Sequence, residues 1–212
     1  MRLTMRDGSA TEEKILKLAK KMIINDGIAN LDMKVLAEKI GCSRSTLYRH
    51  FSSKGDIMIK LVEESLQIIS SSSQNLPKDI HFDNGFEEFS WYVNERAKAL
   101  IKEVDSVTFI RDYDCLYTNA YPQSSHLEGF KNFIKGDYLS DPWFIAFKKG
   151  MEDGSIRHFD DPKLQVLTIS NGLLGIAERV VPRIPFYIQE QGYGEEFILN
   201  QAKLYLNSIK NR

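Results

Sequence analysis

Between Ser43 and Lys54 the chain gathers hydroxyl, guanidinium, phenol, imidazole and ammonium groups into one short run, Ser43-Arg-Ser-Thr-Leu-Tyr-Arg-His50, followed by Phe51, Ser53 and Lys54. Leu47 is the aliphatic anchor of the octet, so Arg44, Ser45, Thr46, Tyr48, Arg49 and His50 supply donors around the rest of the surface. Arginine reads guanine edges, hydroxyls serve any base, and basic side chains and imidazoles reach phosphate oxygens. The chemistry of such a segment is recognition of a polyanion. Lys54, at the start of the next helix, adds its charge to amides that already point at solvent, an arrangement suited to a phosphate.

Recognition of a duplex needs these groups on a protruding helix, and the flanking sequence provides one. Asp32 reads as the N-cap of a short helix carrying Met33, Leu36, Ala37 and Ile40, which Gly41 ends. Glycine turns the chain at positive φ, and Ser43 restarts a helix within three residues. That is the geometry by which a helix-turn-helix offers its second helix to a major groove. Upstream, Ser9 and Glu12 make a capping box before Ile15, Leu18, Ala19, Met22 and Ile23, with Gly27 as the stop. Downstream, Ser53 and Asp56 form a second box-like start to a helix carrying Ile57, Ile59, Leu61, Val62 and Leu66.

Charge is divided in the same way. Residues 1–60 hold twelve Lys/Arg against seven Asp/Glu (net +5), and the remainder sixteen against twenty-two (net −6). A basic head on an acidic body fits a polyanion-binding module joined to a part that does not touch the polyanion.

These residues resemble the DNA-binding segment of the TetR family of bacterial transcriptional regulators. The family's pattern is met by Gly27, Leu36-Ala37, Gly41-Cys42-Ser43, Thr46-Leu47-Tyr48, Phe51 and Ser53-Lys54, about a quarter of the chain in all. The resemblance implies that Arg44, Ser45, Tyr48 and Arg49 face bases, and that Lys34, Ser43, Thr46, His50 and Lys54 contact phosphates or the groove edge. Three positions depart from it. Asp32 stands where a hydroxyl is common and must cap its helix, Gly55 replaces a common acidic residue, and Ser45 takes a place often held by glycine.

The rest of the chain reads as helical. Helices are expected over Phe86 to Val104 and Ser106 to Ala120, behind Asp141-Pro142 and Asp161-Pro162, where an N-cap precedes a first-turn proline, and from about Glu195 to Ile209. Ser70 to Pro77 is turn-rich, and no period-2 run argues for a sheet. The expected fold is all-α, with nine or ten helices. Residues 1–54 would form the helix-turn-helix domain, and 55–212 a helical body for effector binding and dimerisation.

Aromatics crowd the middle of that body. Phe109, Tyr113 and Tyr117 recur every four residues on one helix face, and with Trp91, Trp143 and Phe147 they are candidates to line a pocket for an apolar or aromatic effector. Plain core packing is the competing reading for each one. Lys163 to Val180 is apolar on most sides, as in a helix buried both by its own domain and by a partner. The resemblance implies a dimer through the last two helices, with Leu167, Leu174, Ile198, Ala202, Tyr205 and Ile209 as candidate interface residues. Such a homodimer would bind a palindromic operator in double-stranded DNA and be released by a small-molecule effector, most often as a repressor. In the alternative, the same fold serves as a co-regulator or activator governed by a protein partner.

Other chemistry is thin in the sequence. His50, His81, His126 and His158 are scattered, with no metal-ligand spacing to Cys42 or Cys115, and no phosphate-binding glycine loop or nucleophile elbow occurs. An enzyme, a metal site and a cofactor are therefore not expected. Cys115, among aromatics, reads as an inert buried thiol. The longest apolar-rich run free of charges, Leu164 to Ala177, is 14 residues against the roughly 20 needed to span a bilayer. A cytoplasmic protein without a membrane partner is the expectation.

Overall fold

A computed structural model of the chain describes residues 5–71, 76–77 and 79–211, with side chains from residue 10 onward outside the two gaps. Its regular elements are α1 (Met5–Asp26), α2 (Met33–Ile40), α3 (Arg44–His50), α4 (Lys54–Ser71), α5 (Gly85–Lys102), α6 (Val104–Leu116), α7 (Leu127–Lys135), α8 (Pro142–Glu152), α9 (Pro162–Val180), α10 (Ile184–Gln191) and α11 (Glu196–Ile209). No β-strand occurs among the described residues, only an isolated bridge between Ile156 and Lys210. The fold is all-α.

The contacts divide the chain into two compact units, one drawn from Met1–Leu66 and Thr108–Ile134, the other from Gln67–Val107 and Lys135–Arg212. In the first, α1 packs on α2 and α2 on α3. Their apolar stripes supply Ile15, Ala19, Met22 and Ile23 from α1, Leu36 and Ala37 from α2, and Leu47 from α3, all buried. Phe51 closes this core immediately after α3.

Capping fixes the helix starts locally. The Asp32 carboxylate accepts from the Lys34 and Val35 amides at 2.7 and 3.1 Å, so the carboxylate at this position does cap α2. Asp141 and Asp161 cap α8 and α9 ahead of their first-turn prolines. Helix α1 differs from the expectation, for it begins at Met5, ahead of Ser9. The Ser9 side chain lies outside the described residues, as do residues 72–75 and 78 of the turn-rich break.

The start of α4 is held by more than its own cap. The Asp56 amide donates the box-like bond to Ser53 Oγ at 3.1 Å, and the Asp56 Oδ2 accepts from the Ser52 amide at 2.8 Å. Its Oδ1 reaches across the sequence to the Ser124 hydroxyl at 2.7 Å and the Ser125 amide at 2.8 Å. Burial alone would push this carboxyl up. The hydrogen bonds from Ser52, Ser124 and Ser125 outweigh it and hold the group well below the usual carboxylate range. Gly55 is explained by the same approach, because a Cβ there would lie 2.0 Å from the Gln123 carbonyl oxygen. The chain accepts the weaker helix former because a main-chain group occupies the space.

In the second unit, α5 packs on α8, α9 and α11, and α9 on α8 and α11. Phe89 is the hub, in edge contact with Trp143 (ring centroids 5.6 Å apart) and with Phe147 (5.1 Å). Two close approaches at glycines set the spacing, one to backbone and one to a side chain. A Cβ on Gly85 would lie 2.1 Å from the Gly150 amide nitrogen, and one on Gly172 would lie 2.0 Å from the Tyr205 hydroxyl.

Several body residues sit differently from the expectation. Ile198, Ala202 and Ile209, expected at an interface, are fully buried in their own unit. The strongest apolar stripe of α11 faces its own core, and Leu199 and Leu204 are the large apolar side chains it leaves exposed. On α9, Leu167 and Leu164 are exposed and Leu174 is half-buried, while Tyr205 of α11 is half-buried against Gly172. Trp143 and Phe147, expected to line a pocket, are core residues packed on Phe89.

Candidate nucleic-acid interface

The turn between α2 and α3 follows from two residues. Gly41 adopts φ 79° and ψ 29° as the left-handed cap of α2, a conformation that a β-carbon would strain. Ser43, extended at φ −70° and ψ 152°, accepts the Thr46 amide at 3.1 Å and starts α3. Its hydroxyl also meets Ser45 Oγ at 2.8 Å and Thr46 Oγ1 at 2.9 Å, linking three hydroxyls across the first turn.

Helix α3 buries one residue, Leu47. Arg44, Ser45 and Arg49 are exposed, Tyr48 is 48% exposed, and Thr46 is half-buried. A phenol left about half exposed on a seven-residue helix offers a ring and a hydroxyl to a partner. Lys34, on the first turn of α2, is exposed as well. Asp32, whose cap bonds from Val35 and Lys34 are the main cause of its lowered pKa, also feels the positive charges of Arg44 and Lys34. The Asp32 oxygen is committed to the α2 cap.

Two basic residues expected to contact phosphate have intramolecular partners. His50 Nδ1 lies 3.2 Å from Glu12 Oε1, and its side chain is 12% exposed, so the imidazole braces the end of α3 against α1. Lys54 Nζ donates to the Ala29 carbonyl at 3.1 Å, tying the start of α4 to the turn after α1. Burial pulls the Lys54 ammonium down, partly offset by Asp32. Both groups stand beside the recognition helix and fix its angle. No spacing rule in the sequence points to Glu12 or Ala29 as their partners.

At the C-terminal end of α6 a cavity of about 470 Å³ is lined by Tyr113, Asp114, Tyr117, Thr118 and Tyr121, among others. The four-residue rhythm holds past the end of the helix, because the Tyr117 amide still donates to the Tyr113 carbonyl at 2.9 Å. Phe109, one turn earlier, is fully buried beneath them. Trp91 sits in the other unit between Phe82 and Tyr92. The six expected pocket residues therefore separate, and Tyr113 and Tyr117 are the two that line this cavity. Asp114 and Tyr121 were not among them, since nothing in the periodicity marks a residue adjacent to a stripe or one beyond a helix end. Cys115 is exposed rather than buried. Among the described residues no group of three His, Cys, Asp or Glu side chains could hold a metal, and no helix is long and apolar enough to cross a membrane.

Capped helix, glycine turn and outward-facing basic helix define the helix-turn-helix class of DNA-binding domains. Residues 15–61 match the family model described as bacterial regulatory proteins, tetR family. An HTH-type transcriptional regulator of Staphylococcus aureus (strain USA300) is 28% identical over 76 residues, 36% of this chain and 41% of the relative. The chain thus spans about two fifths of the length of the curated relatives it matches. Among solved structures, the TetR-family regulator PfmR of Thermus thermophilus shares the fold with a TM-score of 0.61 at 18% identity, covering 91% of this chain and 97% of that one. The regulator FadR of Bacillus subtilis, solved with stearoyl-CoA, superposes with a TM-score of 0.63 at 17% identity, covering 93% and 99%. Residues 15–61 are thus similar to the DNA-binding segment of the tetR family of bacterial regulatory proteins, and the chain shares the fold of solved regulators of that family.

Proposed function

We propose that the protein is a cytoplasmic transcriptional repressor that binds a palindromic operator as a homodimer and is released by a small effector. The observation that carries this reading is α3, a helix with Leu47 alone buried and Arg44, Ser45, Tyr48 and Arg49 turned outward. On this reading those four residues contact bases, and Lys34, Ser43 and Thr46 contact the sugar-phosphate edge. His50 and Lys54 act beside them, reaching phosphate with whatever donor capacity their internal partners leave. Residues 1–54 are the DNA-binding domain and 55–212 the regulatory body.

Dimerisation is supported by the exposed leucines of the last long helices, Leu164 and Leu167 on α9 and Leu199 and Leu204 on α11. Two-fold symmetry would place two recognition helices about 34–36 Å apart, or a multiple of that, on the duplex. The effector has to favour a conformation in which that spacing is wrong, since a ligand with equal affinity for both states shifts nothing. That a protein of the same fold was crystallised with stearoyl-CoA supports a ligand-holding body of this architecture.

The test is operator binding by the purified chain. An operator selected from a random DNA pool should be bound with an affinity that falls steeply with salt. Arg44→Ala or Tyr48→Ala should weaken binding by about 1–3 kcal/mol and relax sequence preference. Unchanged affinity in both variants would show that α3 is not the reading helix.

A further inference from the structure

The cavity at the end of α6 has a chemical character of its own. Three phenol rings and one carboxylate line it, those of Tyr113, Tyr117, Tyr121 and Asp114, and no Lys or Arg is among its described lining residues. Tyr113 is 3% exposed, and its hydroxyl is buried without a hydrogen-bond partner. Burial raises the pKa of that phenol, and the negative charges that Tyr121, Tyr117 and Asp114 can carry raise it further. All four residues line the same cavity. The Tyr113 and Tyr117 rings lie 4.9 Å apart and 51° from parallel, two walls of a partial aromatic cage. A buried hydroxyl with no partner is costly unless something arrives to pair with it.

Aromatic faces and a carboxylate attract positive charge and oppose negative charge, because ring quadrupole and anion act with the same sign. We propose that this cavity binds an organic cation, a protonated amine on an apolar or aromatic body, with the ammonium between the Asp114 carboxylate and the Tyr113 hydroxyl and the body against Tyr117 and Tyr121. The assignment rests on the reading of the protein as an effector-released regulator, and it narrows the effector class. An acyl thioester of coenzyme A, with its several phosphates, would find no counter-charge in this lining.

Three naphthalene probes separate the charge effect from the apolar one: 2-naphthylmethylammonium, neutral 2-naphthylmethanol and anionic 2-naphthoate, each titrated calorimetrically into the full chain at pH 7.5. The ammonium should bind one per chain, at least about tenfold more tightly than the carboxylate, with the alcohol between them. Asp114→Asn should remove most of that gap. Tyr113→Phe, which keeps the ring, should weaken the ammonium more than the alcohol. The proposal is overturned if 2-naphthoate binds as tightly as the ammonium, if the gap survives Asp114→Asn, or if none of the three binds. Stearoyl-CoA that displaces the ammonium competitively would overturn it too. The effector reading fails separately: an ammonium that binds in the expected charge order but leaves operator affinity unchanged at saturation identifies a cation site that does not regulate.

Discussion

Replacing Asp56 by alanine isolates the contact that fastens the start of α4 to the 122–126 segment. The carboxylate is 1% exposed and accepts from the amides of Ser52 and Ser125 and the hydroxyls of Ser52, Ser124 and Ser125. Hydroxyls can rotate toward other acceptors, whereas the two amides are fixed by the backbone. A buried donor left unpaired costs about 1–3 kcal/mol, and hydrogen bonds to an ionised group contribute about 1.5–3 kcal/mol each. Two stranded amides therefore predict a loss of about 3 kcal/mol at pH 7, read by urea denaturation followed by circular dichroism.

The pH dependence supplies a second arm. The folded carboxyl titrates below its ordinary value of 3.8, so its ionised form stabilises the native state above that value. That contribution is lost as the pH falls from the ordinary value toward the lower folded one. Wild-type stability should drop as the pH falls below about 4, and the variant should drop less. A loss below about 1 kcal/mol at neutral pH, or parallel acid slopes for the two proteins, would refute the argument that Asp56 is a fully satisfied buried anion.

Three further outcomes follow from close approaches and exposed faces. Gly55→Ala would gain about 1 kcal/mol on helix propensity alone, yet the Gln123 carbonyl 2.0 Å from the new carbon should make it destabilising, measured as a lowered Tm. Gly85→Ala faces the Gly150 backbone at 2.1 Å and should destabilise by about 1–3 kcal/mol through overpacking, in the same assay. Leu167→Glu together with Leu204→Glu should leave Tm within a few degrees when extrapolated to low concentration, because both side chains are exposed. It should shift the sedimentation coefficient to that of a single chain, and an unshifted dimer would exclude this face.

The exposed α3 and the cavity at the end of α6 belong to one compact unit, with Asp56 and Ser124–Ser125 in the same unit. A ligand bound by residues 113–121 would therefore act a few residues from the segment that Asp56 holds. On the proposed function this is a short covalent and hydrogen-bonded path from effector to reading helix. Operator release by the Asp56→Ala variant, compared with wild type at equal ligand saturation, would measure how much of the coupling passes through the carboxylate.

What the sequence determined is what a few neighbouring residues decide among themselves. Asp32, Ser43, Asp141 and Asp161 cap helices by bonds to amides two or three residues away, and Gly41 turns the chain through its own φ. Leu47 is legible as the anchor of α3 because every other side chain of that helix is polar. The tertiary structure decided the rest. Asp56 reads locally as half of a cap, but its second oxygen meets residues 68 and 69 positions away, which no periodicity encodes. Gly55 looks like a weakness until Gln123 is seen against it. Apolar spacing on α11 singled out Ile198, Ala202 and Ile209, because a helix's strongest stripe is the one its own core selects. The side chains left for a partner, Leu199 and Leu204, emerge only when that core is filled. His50 and Lys54 make the same point in polar form: residue type announced cations for DNA, and the fold gave them Glu12 of α1 and the Ala29 carbonyl of the turn after α1.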